Sequence, residues 1–106
     1  MVVETVPKDI LDLLSSANLA KAATISYGAV SVGDTATVIL VEQSTRTGLI
    51  IVNNSTQTVY LGGDAVSTAN GLPLVEGASY GNQDWVGAIY GIVAAGTSDV
   101  RVEDFY

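Results

Sequence analysis

The sequence predicts an all-β fold: an antiparallel β-sandwich of jelly-roll or Ig-like type, with a short N-terminal α-helix or arm. Three observations carry this expectation. Short runs rich in Val, Ile, Thr and Tyr recur through residues 29–103, with Gly- or Asn-rich turns at intervals of about ten residues. No segment of crossover-helix length separates them, which argues against alternating βαβ units. The composition is that of a β-rich globular chain: of 106 residues 48% are hydrophobic and only 14% charged, with 11 Gly. A chain of this size forms one domain with a real core, burying about two-thirds of the surface that its unfolded form exposes.

Residues 1–30 read as an N-terminal helix or arm and 31–106 as the sandwich domain. Pro7 suits a first helical position, and Asp9 and Asp12 suit the positive end of a helix dipole. Ile10, Leu13, Leu14 and Ala17 fall on one face, so a short amphipathic helix is expected over 7–17. Two roles remain open for it: capping one end of the sandwich, or docking its apolar face on another subunit, since so short a helix is marginal without packing. Residues 18–28 read as a connector. Strands are then expected over 29–32, 35–41, 49–53, 58–62, 78–80, 86–94 and 98–103. The runs 49–52 and 59–61, joined by Asn53-Asn54-Ser55-Thr56-Gln57, read as a β-hairpin. Gly62-Gly63-Asp64 ends its second strand, and Gly71-Leu72-Pro73-Leu74 returns the chain to the core. The expected core is Leu49, Ile51, Val59, Leu61, Leu74, Ile92, Val100 and Val102. Leu49 to Val52 and Ile89 to Val93 are apolar on both faces, so something must cover their outer side.

The pattern Asn53-Asn54, Val59-Tyr60-Leu61-Gly62, Gly71, Pro73-Leu74 and Gly77, followed by Ala88-Ile89-Tyr90-Gly91-Ile92, Gly96-Thr97 and Val100-Arg101-Val102, resembles the small β-sandwich modules of tailed-bacteriophage virions. These include head-decoration, head-fibre and minor tail proteins. The resemblance covers residues 46–103; the segment before Arg46 and the stretch Tyr80-Gly81-Asn82-Gln83-Asp84-Trp85 depart from it. It implies a structural virion protein, most simply a capsid decoration or cement protein assembled in the host cytoplasm, bound to the major capsid protein or another virion protein. A tail, adaptor or head-fibre component is the alternative location. The resemblance also implies a homotrimer, with a dimer as the other closed arrangement. Candidate assembly-interface residues are Ile10, Leu13, Leu14, Tyr80, Trp85 and Tyr90.

The residue inventory disfavours most chemistry. Without His or Cys there is no Ser-His-Asp triad, no thiolate nucleophile, no disulfide, and no imidazole or thiolate for a metal. No Ser-x-x-Lys spacing occurs, and Gly62-Gly63-Asp64 lacks the ending of a phosphate-binding loop. Asp84 beside Trp85 admits a carbohydrate-binding module or, at the extreme, a small glycosidase. Asp99, Glu103 and Asp104 do not follow a calcium-loop pattern. The expectation is therefore no enzyme, no cofactor and no metal. Eleven acids oppose Lys8, Lys21, Arg46 and Arg101 for a net charge of −7, and four scattered cations make no footprint for nucleic acid. The N-terminus lacks a basic n-region, so secretion by a signal peptide is not expected. The longest uncharged apolar run, 86–96, is about half of the ~20 residues a membrane helix needs, so no membrane association is expected.

Overall fold

The computed structural model describes residues 21–106. The helix expected over 7–17, with Ile10, Leu13 and Leu14, lies outside the described residues. Eight strands follow: β1 (Ile25–Val32), β2 (Thr37–Leu40), β3 (Gly48–Asn53), β4 (Val59–Gly62), β5 (Leu72–Leu74), β6 (Ser79–Asn82), β7 (Ile89–Ile92) and β8 (Ser98–Phe105). They form two four-stranded sheets, ordered β1-β8-β3-β6 and β2-β7-β4-β5, here called sheets A and B. All pairings are antiparallel. The β-sandwich expected from the sequence is therefore present.

Side-chain alternation with a period of two builds the core between the sheets. Sheet A sends Val32, Leu49, Ile51 and Val100 inward; sheet B sends Ile39, Leu40, Val59, Leu61, Leu74 and Ile89, and Val93 joins them just past β7. Val102 packs at the margin of this cluster, as expected. Ile92 does not join it: it is half-buried, and its neighbours Gly91 and Val93 face in instead. The register of β2 against β7 shifts between Val38 and Leu40. This irregularity lets the consecutive residues Ile39 and Leu40 both be buried, which a regular strand would forbid.

Three expectations need correction. The first strand begins at Ile25, inside the stretch read as a connector, and pairs along its whole length with β8, from Ile25↔Phe105 to Val32↔Ser98. A strand that the sequence reading missed, β5, lies at the edge of sheet B, where Pro73 opposite Tyr60 costs no ladder hydrogen bond. Most consequentially, β3 and β4 are not a hairpin. They lie in different sheets, and residues 54–58 carry the chain across the core as an arch.

Asn53 explains why the arch holds without a ladder. It is 1% exposed. Its Nδ2 donates to the carbonyls of Gln57 and Leu74, both at 2.8 Å. Its Oδ1 accepts from Ser55 N at 3.0 Å and Ser55 Oγ at 2.6 Å. The Asn53 backbone is also paired, its N–H donating to Ala78 O and its carbonyl accepting from Gly77 N. Gly77 adopts a φ of 72°, the left-handed conformation that a side chain disfavours. One amide thus ties the end of β3, the arch and the end of β5 together. Asn53→Ala is expected to destabilise by about 1–3 kcal/mol, the penalty for buried partners left unsatisfied, while the protein still folds. Unchanged urea denaturation would show that these groups find water instead.

Candidate assembly surfaces

Sheet B contains no charged residue on any of its four strands, whereas β8 of sheet A alone carries Asp99, Arg101, Glu103 and Asp104. The register turns Val38, Tyr90, Ile92, Tyr60 and Pro73 to the outer side of sheet B. Tyr60, Tyr90 and Ile92 are half-buried, and Val38 and Pro73 are exposed. The result is an aromatic and aliphatic face on a chain whose net charge is −7. Tyr90 was expected to mark an interface, and it stands at the centre of this face; Val38, Tyr60, Pro73 and Ile92 complete it. The signal for them was the alternation in Val59-Tyr60-Leu61, where the polar-tipped aromatic takes the outward position.

Tyr80 and Trp85 belong to a second surface. They line a largely apolar groove of about 390 Å³ with Leu61, Leu72, Ala88 and Ile89, on the side where the edge strands β5 and β6 leave the sandwich open. Trp85 is 51% exposed and Leu72 53%. Local chemistry fixes the indole. Asn82 Oδ1 accepts from Asp84 N at 2.7 Å and Trp85 N at 2.8 Å, and Asn82 Nδ2 donates to the Tyr80 hydroxyl at 3.1 Å. Trp85 Nε1 donates to Ala88 O at 3.2 Å. The ring lies directly over Gly87, where an added Cβ would come within 2.5 Å of Trp85 Cζ2. Asn82→Ala should cost about 1 kcal/mol and shift the emission of Trp85, the chain's single tryptophan, to the red. Unaltered emission would mean that Gly87 and Ala88 hold the ring by themselves.

A second depression, about 730 Å³, lies over the outer side of sheet A and is lined by Ala22, Gly48, Ile50, Gly81, Asp84 and Phe105 among others. Asp84 and Trp85 therefore line different depressions, and the acid–aromatic pairing that suggested a sugar site is not formed in one place.

The remaining acids of β8 are also apart. Asp104 points inward onto Arg46; Asp99 points outward, accepting from Asn54 Nδ2 at 2.8 Å and Arg101 Nε at 3.0 Å. The Asn54 bond above all, helped by the Arg101 guanidinium, holds the Asp99 carboxyl below the usual carboxylate range against the opposing effect of desolvation. Glu103 lies opposite Tyr27 and Ile50. Among the described residues no three acidic side chains are grouped to hold a metal ion, and no helix is long and apolar enough to cross a membrane.

Arg46 was read as one of four scattered cations. It is buried at one end of the sandwich, and its guanidinium is fully engaged. Nε donates to Asp104 Oδ1 at 2.6 Å and Nη2 to Asp104 Oδ2 at 3.4 Å. Nη2 also donates to Val41 O at 2.7 Å, and Nη1 to Gly87 O at 2.9 Å and Trp85 O at 3.3 Å. The same side chain thereby anchors the loop that presents Trp85. No protein-family model matches this chain, and no curated protein matches it.

Proposed function

We propose that this protein is a non-enzymatic structural module that works by occupying a surface of a larger assembly, as an accessory capsid protein of a tailed phage. The observation that carries the reading is the outer face of sheet B, free of charge on a strongly acidic chain. Water-facing sheets normally alternate apolar and polar residues, so an uncharged aromatic outer face is suited to burial against a partner. The strand orders β1-β8-β3-β6 and β2-β7-β4-β5 support a jelly-roll assignment within the sandwich class, an architecture used by viral capsid and lectin domains. The fold alone does not choose between those roles.

Size bounds the contact. Four strands ~4.8 Å apart and about four residues long present only about 200 Å² of face, against roughly 800 Å² per partner in a standard interface. The contact must therefore extend around the edge of β5, where Pro73 on the face adjoins exposed Leu72 at the Trp85 groove. Tyr80, Trp85 and Tyr90 then serve one continuous contact, in a homotrimer or a dimer and against the major capsid protein or another virion protein. Light scattering on the intact protein tests the oligomer: a trimer or dimer is expected, reduced to folded monomers by Tyr60→Lys with Tyr90→Lys. A monodisperse monomer removes self-assembly from the proposal. Electron microscopy of the source particle tests the location, with density for this domain expected on the head; density on the tail supports the adaptor, tail or fibre alternative. The Tyr80–Trp85–Asn82 groove favours one further reading, a carbohydrate-binding module. A glycan array that reports binding abolished by Trp85→Ala would replace the capsid role.

A further inference from the structure

We infer that the free edge of β1 is an interface with a second copy of this chain, whose own β1 runs antiparallel to it and joins the two A sheets into one. This goes beyond the contact proposed for sheet B and stands without it. It starts from the backbone groups that β1 leaves over. Thr24 N donates to Tyr106 O at 2.6 Å and Tyr106 N to Thr24 O at 3.0 Å, so these two residues are a hydrogen-bonded pair continuing the β1–β8 ladder. Such pairs alternate with unbonded ones, which makes Ser26, Gly28, Val30 and Val32 the residues of β1 bonded to β8. The N–H and C=O groups of Ile25, Tyr27, Ala29 and Ser31 therefore point to the free edge, and among the described residues nothing pairs with them. All four residues are exposed.

Sheets normally guard such edges, and the other three edges here are guarded. β5 has three residues and contains Pro73, β2 is broken by the register shift between Val38 and Leu40, and β6 has four residues including Gly81. β1 keeps one register over eight residues, with no Pro and no charge. A second copy fits it by charge and by shape. No charged residue occurs between Lys21 and Asp34, so antiparallel pairing sets the cationic end of each β1 beside the acidic end of the other, whereas parallel pairing would set like beside like. Pairing that uses all four free residues has its two-fold axis at Gly28, with Ile25 opposite Ser31 and Tyr27 opposite Ala29 of the second copy. Tyr27 is 80% exposed, while Ala29 borders, with Val52 and Arg101, a depression of about 330 Å³ on the outer side of sheet A. The ring of each copy thus has a place on the other, beside a guanidinium, which favours an aromatic face. At the axis an unbonded pair brings Cα atoms to about 4.5 Å, and close backbone approach is a use for glycine in a strand. Nothing in its own chain asks for glycine there, since an added Cβ at Gly28 would meet no atom within 4 Å. Once both β1 edges are used, only the guarded β6 edges of sheet A remain, so the pairing closes at two copies. An edge of eight residues, about 27 Å long, buries far less than the roughly 800 Å² per partner of a standard interface. The contact is therefore weak in dilute solution and forms where copies are held side by side at millimolar effective concentration.

The intact chain has no native cysteine, so Gly28→Cys tests the axis directly: two thiols there lie within disulfide reach, and the open space around Gly28 accepts the side chain. At millimolar protein in a glutathione buffer, Gly28→Cys is expected to form cross-linked dimer at least about tenfold faster than Gly63→Cys, an equally open site at the end of β4. Ser26→Cys should match the slower control, because antiparallel pairing sets Ser26 opposite Val30. Adding Ala29→Pro to Gly28→Cys should return it to the control rate, since it removes a donor from the free edge and none from the β1–β8 ladder. Adding Tyr27→Asp instead should do the same. Adding Tyr60→Lys with Tyr90→Lys should leave the rate unchanged, because sheet B takes no part. Equal rates for Gly28→Cys and Gly63→Cys overturn the pairing, as does Ser26→Cys cross-linking as fast as Gly28→Cys, or a fast rate that survives both Ala29→Pro and Tyr27→Asp. Loss of cross-linking in the double Lys variant also overturns it and assigns the contact to sheet B.

Discussion

Arg46→Ala is expected to destabilise the protein by about 3–5 kcal/mol, because it strands the buried Asp104 carboxylate and empties a site that satisfies three carbonyls. Every N–H of the guanidinium has an acceptor, on Asp104, Val41, Trp85 or Gly87, and both charged groups are buried. Arg46→Lys should recover little of the loss, since a single ammonium cannot reproduce a planar fork that reaches acceptors on two loops and a strand. Replacing the pair together, Arg46→Met with Asp104→Leu, should cost less than Arg46→Ala alone, since no unpaired charge is left in the interior. Urea denaturation measures all three. A cost below about 1 kcal/mol for Arg46→Ala would place this pair with exposed ion pairs and remove it as the anchor of the Trp85 loop.

Ile51→Ala should cost about 2–5 kcal/mol and Ile51→Val about 0.5–1.5 kcal/mol, the range for removing buried methyl and methylene groups from a packed core. Ile51 is fully buried and lies between Val102 of β8 and Tyr80 of β6 in the ladder. Its neighbourhood is held by two sheets, so the cavity has little room to collapse. Tyr27→Ala provides the contrast: the ring is 80% exposed, and the change should stay within about half a kcal/mol. Equal effects at the two positions would contradict the inward and outward assignment of sheet A.

Strand positions were legible because a period of two reports which residues share a face, and most of the inward set, from Leu49 and Ile51 to Val100, was found that way. Partnership between strands was not legible. Leu49 to Val52 and Val59 to Leu61 have the same pattern whether they pair side by side or face each other across a core. What decides is Asn53, whose second acceptor, Leu74 O, is 21 residues away. The first half of β1, Ile25 to Gly28, was read as connector because Ser26, Tyr27 and Gly28 are exposed on both faces and show no alternation. The three residues of β5 were too few to show a period. For the candidate surfaces, residue type pointed to Tyr80, Trp85 and Tyr90 but not to their separation onto a groove and a face. Arg46 and Asp104 carried no local signal, as their pairing spans 58 residues.

The pairs β4–β5, β3–β6, β2–β7 and β1–β8 are nested, each enclosing the one before it in sequence. Their nesting sets an order for acquiring structure. The β4–β5 pair closes the shortest stretch of chain; once it forms, each successive pair needs to close only the short additional lengths on either side, and the entropic cost of closure grows with that length. If β1–β8 formed first, nearly the whole described chain would have to be closed in one step. Folding is therefore expected to start at Val59↔Leu74 and zip outward, on the millisecond-to-second scale of proteins dominated by distant pairings. Substitutions at Leu74 should slow refolding, while those at Val30 should mainly speed unfolding; the opposite assignment would mean that the terminal strands meet before the centre of the chain has turned.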